Sequence, residues 1–210
     1  FKLQNPNISN MNTAKITVAT WVTFKHEQPN EAALFSLGDT QQKSIASNRP
    51  VFLVTIDANE KINLKVLNNT ILKDKHWKTA ANAITASQLH NIIVSYDGTD
   101  ASNVPLLYVD NHQQTLFTDH VTPAATMNQI SNGSYINVGA GNVGGTWGTI
   151  KDTVIHEMAM WKEALGSAEF EQIYARGQMP NLTSSNGAHP LDGTTFNSKV
   201  TNHLVSWWRM

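Results

Sequence analysis

Two indole rings sit in polar surroundings where an aromatic face could receive a sugar. Trp147 stands between Gly144-Gly145 and Gly148, with Asn142 and Asn137 upstream. Trp77 follows Lys73-Asp74-Lys75-His76. An aromatic face stacks on the C–H side of a sugar ring, and nearby amide, carboxylate or imidazole groups hydrogen-bond its hydroxyls. Trp147 with Asn142 and Asn137 is therefore the first candidate glycan patch, and Trp77 with Asp74 and His76 the second. The competing reading is that both rings pack over sheet edges. Trp21, Trp161, Trp207 and Trp208 fall on strand patterns and are expected on core or sheet faces.

Asp39, Asp97, Asp100 and Asp110 fall in turns, where carboxylates suit a hard cation such as calcium. Turn chemistry alone also explains Asp at such places. The eight His are scattered, with no His-x-His or His-x-x-x-His pair. Cysteine is absent, which removes disulfides, thiolate catalysis and Cys-type zinc sites. Gly139-Ala140-Gly141-Asn142-Val143-Gly144 matches G-x-G-x-x-G, but Gly145-Thr146-Trp147-Gly148 follows and no helix begins. A dinucleotide site needs that helix N-terminus, so the segment reads as a loop between strands.

These residues need a scaffold, and the scaffold reads as strands. Residues 16–24 (ITVATWVTF) alternate Ile16, Val18, Val22 and Phe24 with Thr. Residues 51–56 and 62–67 flank Asp57-Ala58-Asn59-Glu60 as a hairpin. Residues 34–37, 90–96, 106–109 and 135–138 are further strands, and Asp110-Asn111 turns the chain back through 113–117. Residues 150–161 give one or two strands, with Ile155, Met158 and Met160 as core candidates, and 204–208 give the last, expected beside the first. One helix is expected near 167–175, with Ser167 as N-cap, Phe170, Ile173 and Tyr174 as its apolar stripe and Gly177 closing it. Residues 178–201 read as a long surface loop. About ten to thirteen strands without alternating helices predict an antiparallel two-sheet sandwich.

The 210 residues suit one domain, 1–210, expected to be a piece of a longer chain because it opens on Phe1. A net charge of −1 without a basic block argues against nucleic acid as a partner. No apolar run is long enough to be inserted into a bilayer as a helix.

Three segments together resemble the concanavalin A-like lectin/glucanase superfamily in its laminin G-like branch. They are ITVATWVTF at 16–24, HNIIVSYDGTDASNVPLLYVDN at 90–111 and IHEMAMWKEALGSAEFEQIYARG at 155–177. The tail HLVSWWRM resembles endings of laminin G-like domains in bacteriophage virion and tail-associated proteins. The resemblance implies an all-β jelly-roll sandwich and a lectin-like role, extracellular or virion-associated. Its expected partners are a glycan or cell-surface polysaccharide, or other virion or assembly subunits. Asn111 replaces the family's usual Gly, which Asn tolerates. His156 replaces a usual Asp that can help hold calcium in related domains, and imidazole is a poor ligand for that ion. The superfamily's glycosidases carry Glu-x-Asp-x-Glu or Glu-x-Asp-x-x-Glu on one strand. Neither pattern occurs, so no catalytic residue and no enzymatic activity is expected.

Overall fold

The computed structural model describes residues 2–3, 13–26, 28, 30–38, 50–68, 73–121, 126–127, 130, 135–143, 146–175 and 198–209. In chain order the strands are β1 (Lys2–Leu3), β2 (Lys15–Phe24), β3 (Ala32–Gly38), β4 (Pro50–Ile56), β5 (Ile62–Asn68), β6 (Lys73–Lys78), β7 (Leu89–Asp97), β8 (Leu106–Val109), β9 (His112–Gln113) and β10 (Phe117–Val121). They continue as β11 (Tyr135–Val138), β12 (Ala140–Val143), β13 (Thr146–Thr149), β14 (Thr153–Trp161) and β15 (Leu204–Arg209), with helices α1 (Ser167–Tyr174) and α2 (Ser198–Asn202) before β15.

A seven-stranded sheet, ordered β1-β11-β3-β4-β5-β6-β10, faces a six-stranded sheet, ordered β15-β14-β2-β7-β8-β9. Neighbouring strands run antiparallel, as in the pairs of β2 with β7 and β14 and of β4 with β5. This is the expected jelly-roll sandwich. Alternation decides what meets between the sheets. Ile16, Val18, Val22 and Phe24 of β2 face Phe52, Val54 and Ile56 of β4 and Ile62, Leu64 and Val66 of β5 in one core.

The six-stranded sheet is also buried on its other face. There Ala19, Ile93, Ala159 and Trp161 pack under Leu165, Phe170 and Ile173 of the α1 region and Val200 of α2. The Trp161 indole N–H donates to the Val200 carbonyl at 2.7 Å. The Trp21 ring stacks on Tyr174, with centroids 5.7 Å apart. Burial on both sides explains why β2 is almost continuously buried despite its Thr positions.

β14 serves both cores by alternation, and a bulge between Ile155 and Glu157 shifts its register against β2. Ile155, Met158 and Met160 contribute to the inter-sheet core, while Ala159 and Trp161 face the helices. A regular strand could not send Ile155 and Met158 to the same side; the bulge does.

Several expectations are corrected. The N-cap of α1 is Gly166 rather than Ser167, and its N–H donates to Glu169 Oε2 at 2.8 Å. The helix closes at Ala175, which takes the left-handed conformation at φ 48°, and Gly177 lies outside the described residues. A short second helix, α2, overlaps the end of the stretch expected to be loop. β15 pairs with β14 rather than with the first strand. β6 was not expected as a strand at all: its inward positions are Lys75 and Trp77, and Lys75 masks the alternation. The glycine-rich segment is the hairpin β12–β13, so a strand, not a helix, follows it.

Candidate functional site

Among the described residues, the outer face of the seven-stranded sheet carries a cluster of hydrogen-bonding side chains. It is built from the β4–β5 hairpin outward. Asp57 Oδ1 accepts from the backbone N–H of Asn59 at 2.8 Å and of Lys61 at 3.1 Å, and Glu60 takes φ 57° to complete the turn. That turn fixes Ile56 opposite Ile62. With Ile62, Leu64 and Val66 pointing into the core, Asn63 and Lys65 must point out.

The register then lines residues up across six strands. Asn137 of β11 pairs with Ser36 of β3, Ser36 with Leu53 of β4, Leu53 with Lys65 of β5, Lys65 with His76 of β6, and His76 with His120 of β10. A parallel row runs Ala33, Thr55, Asn63, Lys78 and Phe117. Directly opposed residues on adjacent strands share a face. Phe117 is therefore placed beside Lys78 on the outer face, and it is 52% exposed.

The charged members of these rows are paired locally. Lys65 Nζ lies 2.6 Å from Glu31 Oε1 and 2.9 Å from Oε2, and the Thr55 hydroxyl donates to the same carboxylate. Lys78 pairs with Asp119, whose carboxyl that hydrogen bond holds below its ordinary range. His76 Nε2 lies 3.0 Å from Asp74 Oδ2. Between them is a groove of about 220 Å³, lined by Glu31, Asp57, Lys61, Asn63, Lys65, His76, Trp77, Lys78 and Asp119. Several neutral and charged donors and acceptors on an open, rigid sheet suit a polyhydroxylated ligand.

Of the residues expected from sequence, Asp74 and His76 belong to this face. Trp77 is a correction. It is 3% exposed and lies in the core, its ring centroid 5.5 Å from that of Tyr96. On a strand with His76 pointing out, the next residue must point in. Lys75 enters on the same side and donates to the Ala101 carbonyl, and burial pushes its ammonium down. Asn137 is corrected too. It is 8% exposed and its amide donates to Ser36 Oγ at 3.1 Å.

Asn137 is covered because the β12–β13 hairpin folds over this same face. After β11 the chain bends at Gly139, which has φ 71°, and its N–H donates to the Leu34 carbonyl at 2.9 Å. Ser36 Oγ then donates to the Ala140 carbonyl at 3.2 Å, and β12 also contacts β4. Asn142 and Trp147 are register partners within the hairpin. Their side chains lie outside the described residues. Their backbone positions put the first candidate patch on the same side of the sheet as the charged groove.

The acidic turn residues are engaged within the chain. Asp97 accepts from the backbone N–H and hydroxyl of Thr99 and pairs with Lys15 at 3.4 Å. Burial acts to raise the Asp97 pKa, but these contacts outweigh it and the net shift is downward. Asp100 Oδ1 accepts from Ser102 N–H at 2.7 Å. Asp110 holds His90 and Asn91. Asp39 lies outside the described residues. His156 contacts the Thr23 hydroxyl at 3.1 Å.

Sequence reading missed Glu31, Asn63, Lys65, Lys78, Phe117 and Asp119. The signal for Asn63 and Lys65 was present in their alternation with Ile62, Leu64 and Val66. The others needed the strand pairing.

The family whose model matches residues 2–170 is described as the concanavalin A-like lectin/glucanases superfamily. No curated protein sequence matches the chain. Among solved structures it is similar to a native heptameric SAP-like pentraxin from Limulus polyphemus, at 17% identity and TM-score 0.55, covering 94% of this chain and 80% of that one. It is similar to the NanB sialidase from Streptococcus pneumoniae, at 16% identity and TM-score 0.58, covering 88% of this chain but 27% of that one. It is also similar to the binding domain of botulinum neurotoxin DC in complex with SialylT, at 7% identity and TM-score 0.52, covering 84% and 39%. The chain thus spans about a quarter of that sialidase's length. At these identities the likenesses show the fold.

Proposed function

The chain belongs to the concanavalin A-like lectin/glucanases superfamily, and on that premise we propose that it is a non-catalytic module that recognises glycan. The outer face of its seven-stranded sheet forms the recognition surface, in an extracellular or virion-associated setting. The observation that carries this reading is the cross-strand alignment of Lys65 and His76, with Lys78 beside them, over one groove. Fixed strands hold these donors and acceptors at set spacings, so little ordering entropy is lost on binding. Phe117, exposed opposite Lys78 of the groove, is the aromatic candidate for stacking. Calcium, through the acidic turns, is tested alongside.

Two of the groove's carboxylates, Glu31 and Asp119, support binding over hydrolysis. A glycosidase acid needs a raised pKa and an open approach to the glycosidic oxygen. Glu31 has its oxygens taken by Lys65 and Thr55, and Asp119 is held ionised by Lys78. The toxin domain of similar fold is in complex with SialylT, which makes SialylT the first ligand to test. A glycan array with and without calcium, followed by calorimetric titration of the best ligand, is the experiment. Saturable binding that Lys65→Ala and His76→Ala weaken supports the reading. No binding to any glycan overturns it.

A second reading, a structural module within a virion or other assembly, has its own observation. Val154 and Leu89 flank Thr23 across β14, β2 and β7, and both apolar side chains are exposed. Stoichiometric incorporation into a particle, abolished by Val154→Asp, is its test.

A further inference from the structure

Asn63 sits where its neighbours leave it nothing to bond. Its partners across the sheet are Thr55 of β4 and Lys78 of β6. The Thr55 hydroxyl donates to Glu31, the Lys65 ammonium is held by the same carboxylate, and Lys78 pairs with Asp119. Asn63 is only 9% exposed, yet it lines the groove. Among the described residues nothing hydrogen-bonds its carboxamide. Neither of its polar atoms is sealed from solvent, unlike Asn91 Oδ1. A buried amide without a partner is costly, and native chains keep few of them. One that opens into a groove is satisfied by what enters the groove.

The register adds a second anchor at a set distance. Lys78 stands between Asn63 on β5 and Phe117 on β10. Two strand spacings, roughly 9.5 Å, therefore separate Asn63 from Phe117. The Phe117 ring is the exposed aromatic of this row. A sugar ring is about as wide as one strand spacing, so a ring stacked on Phe117 does not itself reach Asn63.

Resting on the glycan-binding reading, we propose that Asn63 determines the specificity of the groove. Its carboxamide reads two adjacent hydroxyls of one sugar while Phe117 stacks on the next, so the ligand spans at least two sugar units. Asn63 Oδ1 accepts from one hydroxyl, and Nδ2 donates to the oxygen of its neighbour. The two amide atoms lie close together, so the hydroxyls they meet are gauche to each other rather than trans-diaxial. A ligand lacking either hydroxyl leaves one amide atom unpaired in a largely buried position, the arrangement that rejects an analogue most strongly.

The test is calorimetric titration with disaccharides, starting with lactose, maltose and cellobiose, with their component monosaccharides, and with monodeoxy forms of the tightest disaccharide. The expected result is a disaccharide that binds at least tenfold more tightly than either of its sugars, and two adjacent deoxy positions that each cost at least tenfold. Asn63→Leu weakens the parent disaccharide at least tenfold and binds parent and deoxy forms alike. A merely structural role would weaken all of them by one common factor. Phe117→Ala removes the gain from the second sugar and keeps the deoxy discrimination. Thermal unfolding by circular dichroism checks that each variant is folded. Where Asn63→Leu is unfolded, Asn63→Asp serves: it keeps the size and the acceptor, loses the donor, and retains discrimination at one hydroxyl only. Full deoxy discrimination in the Asn63 variant, or a monosaccharide that binds as tightly as any disaccharide, overturns this inference and leaves glycan recognition standing. Absence of binding to any glycan overturns both.

Discussion

His90 and Asp110, 20 residues apart in sequence, meet with Nδ1 and Oδ2 2.7 Å apart. The Asp110 carboxylate also accepts from the Asn91 N–H at 2.8 Å, and His90 Nε2 reaches Thr85, so one pair ties β7 to the Asp110-Asn111 turn and to the preceding loop. His90 is 6% exposed. The hydrogen bond to Asp110 raises the His90 pKa above 6.5, although burial opposes it. Burial acts to raise Asp110, but the bonds from His90 and Asn91 outweigh it, and the net value falls below 3.8. The His90 contribution to stability is therefore complete below 6.5 and declines as pH rises through the raised value. That of Asp110 is complete above 3.8 and declines as pH falls through the lowered one. Asp110→Asn is expected to cost roughly 1.5–3 kcal/mol near pH 6 and less at a pH above the raised His90 value. Urea unfolding at the two pH values checks this; an equal cost at both contradicts it.

Trp161→Ala is expected to cost about 3–5 kcal/mol, because a fully buried indole leaves a cavity under α1. Trp161→Phe keeps much of the volume but strips the Val200 carbonyl of its donor, for about 1–3 kcal/mol. Hydrogen exchange in α2 and β15 should accelerate in both variants more than exchange in β5, which touches neither.

Gly98 and Gly38 should respond unequally to alanine. A Cβ on Gly98 meets the Met127 Cβ at 2.3 Å and the Ala14 carbonyl oxygen at 3.0 Å, while one on Gly38 meets nothing within 4 Å. Gly98 also joins two segments, donating to Ala14 O and accepting from Met127 N. Gly98→Ala should lower the melting temperature by an overpacking cost of about 1–3 kcal/mol. Gly38→Ala should change it by less than about 1 kcal/mol in either direction. Thermal unfolding by circular dichroism reads both.

Phe117→Ala is expected to weaken glycan binding by a factor of roughly 5–10, the worth of one aromatic contact, without loss of stability beyond about 0.5 kcal/mol. Its ring is half-exposed, so little core packing is lost. Binding isotherms of the parent and the variant check this; unchanged affinity removes Phe117 from the site.

The two-layer architecture was legible because β2, β5 and β7 carry clean alternation or continuous apolar runs between turn residues. The Asp110-Asn111 turn was legible as well: both residues take positive φ, 50° and 65°, which their side chains tolerate. β6 was not legible, because Lys75 occupies an inward position where the pattern asks for an apolar residue. That single departure made Trp77 look like a surface ring. Asn137 misled for a related reason. Its outward position was correct, but a later hairpin covers it, and no local pattern reports a cover that arrives from another strand. The groove itself depends on cross-strand register, which lies between segments rather than within any of them.

The sheets end cautiously. β1 and β9, at one margin of each, are two residues long, and β10, at another, carries a bulge and the charged Lys78–Asp119 pair beside it. A long flat margin would offer its open amides to a second chain and invite fibre growth, and short, kinked, charged margins deny that template. Straightening β10 by deleting Asp119 should therefore show itself first as precipitation on concentration, before any change in the folded chain's spectrum.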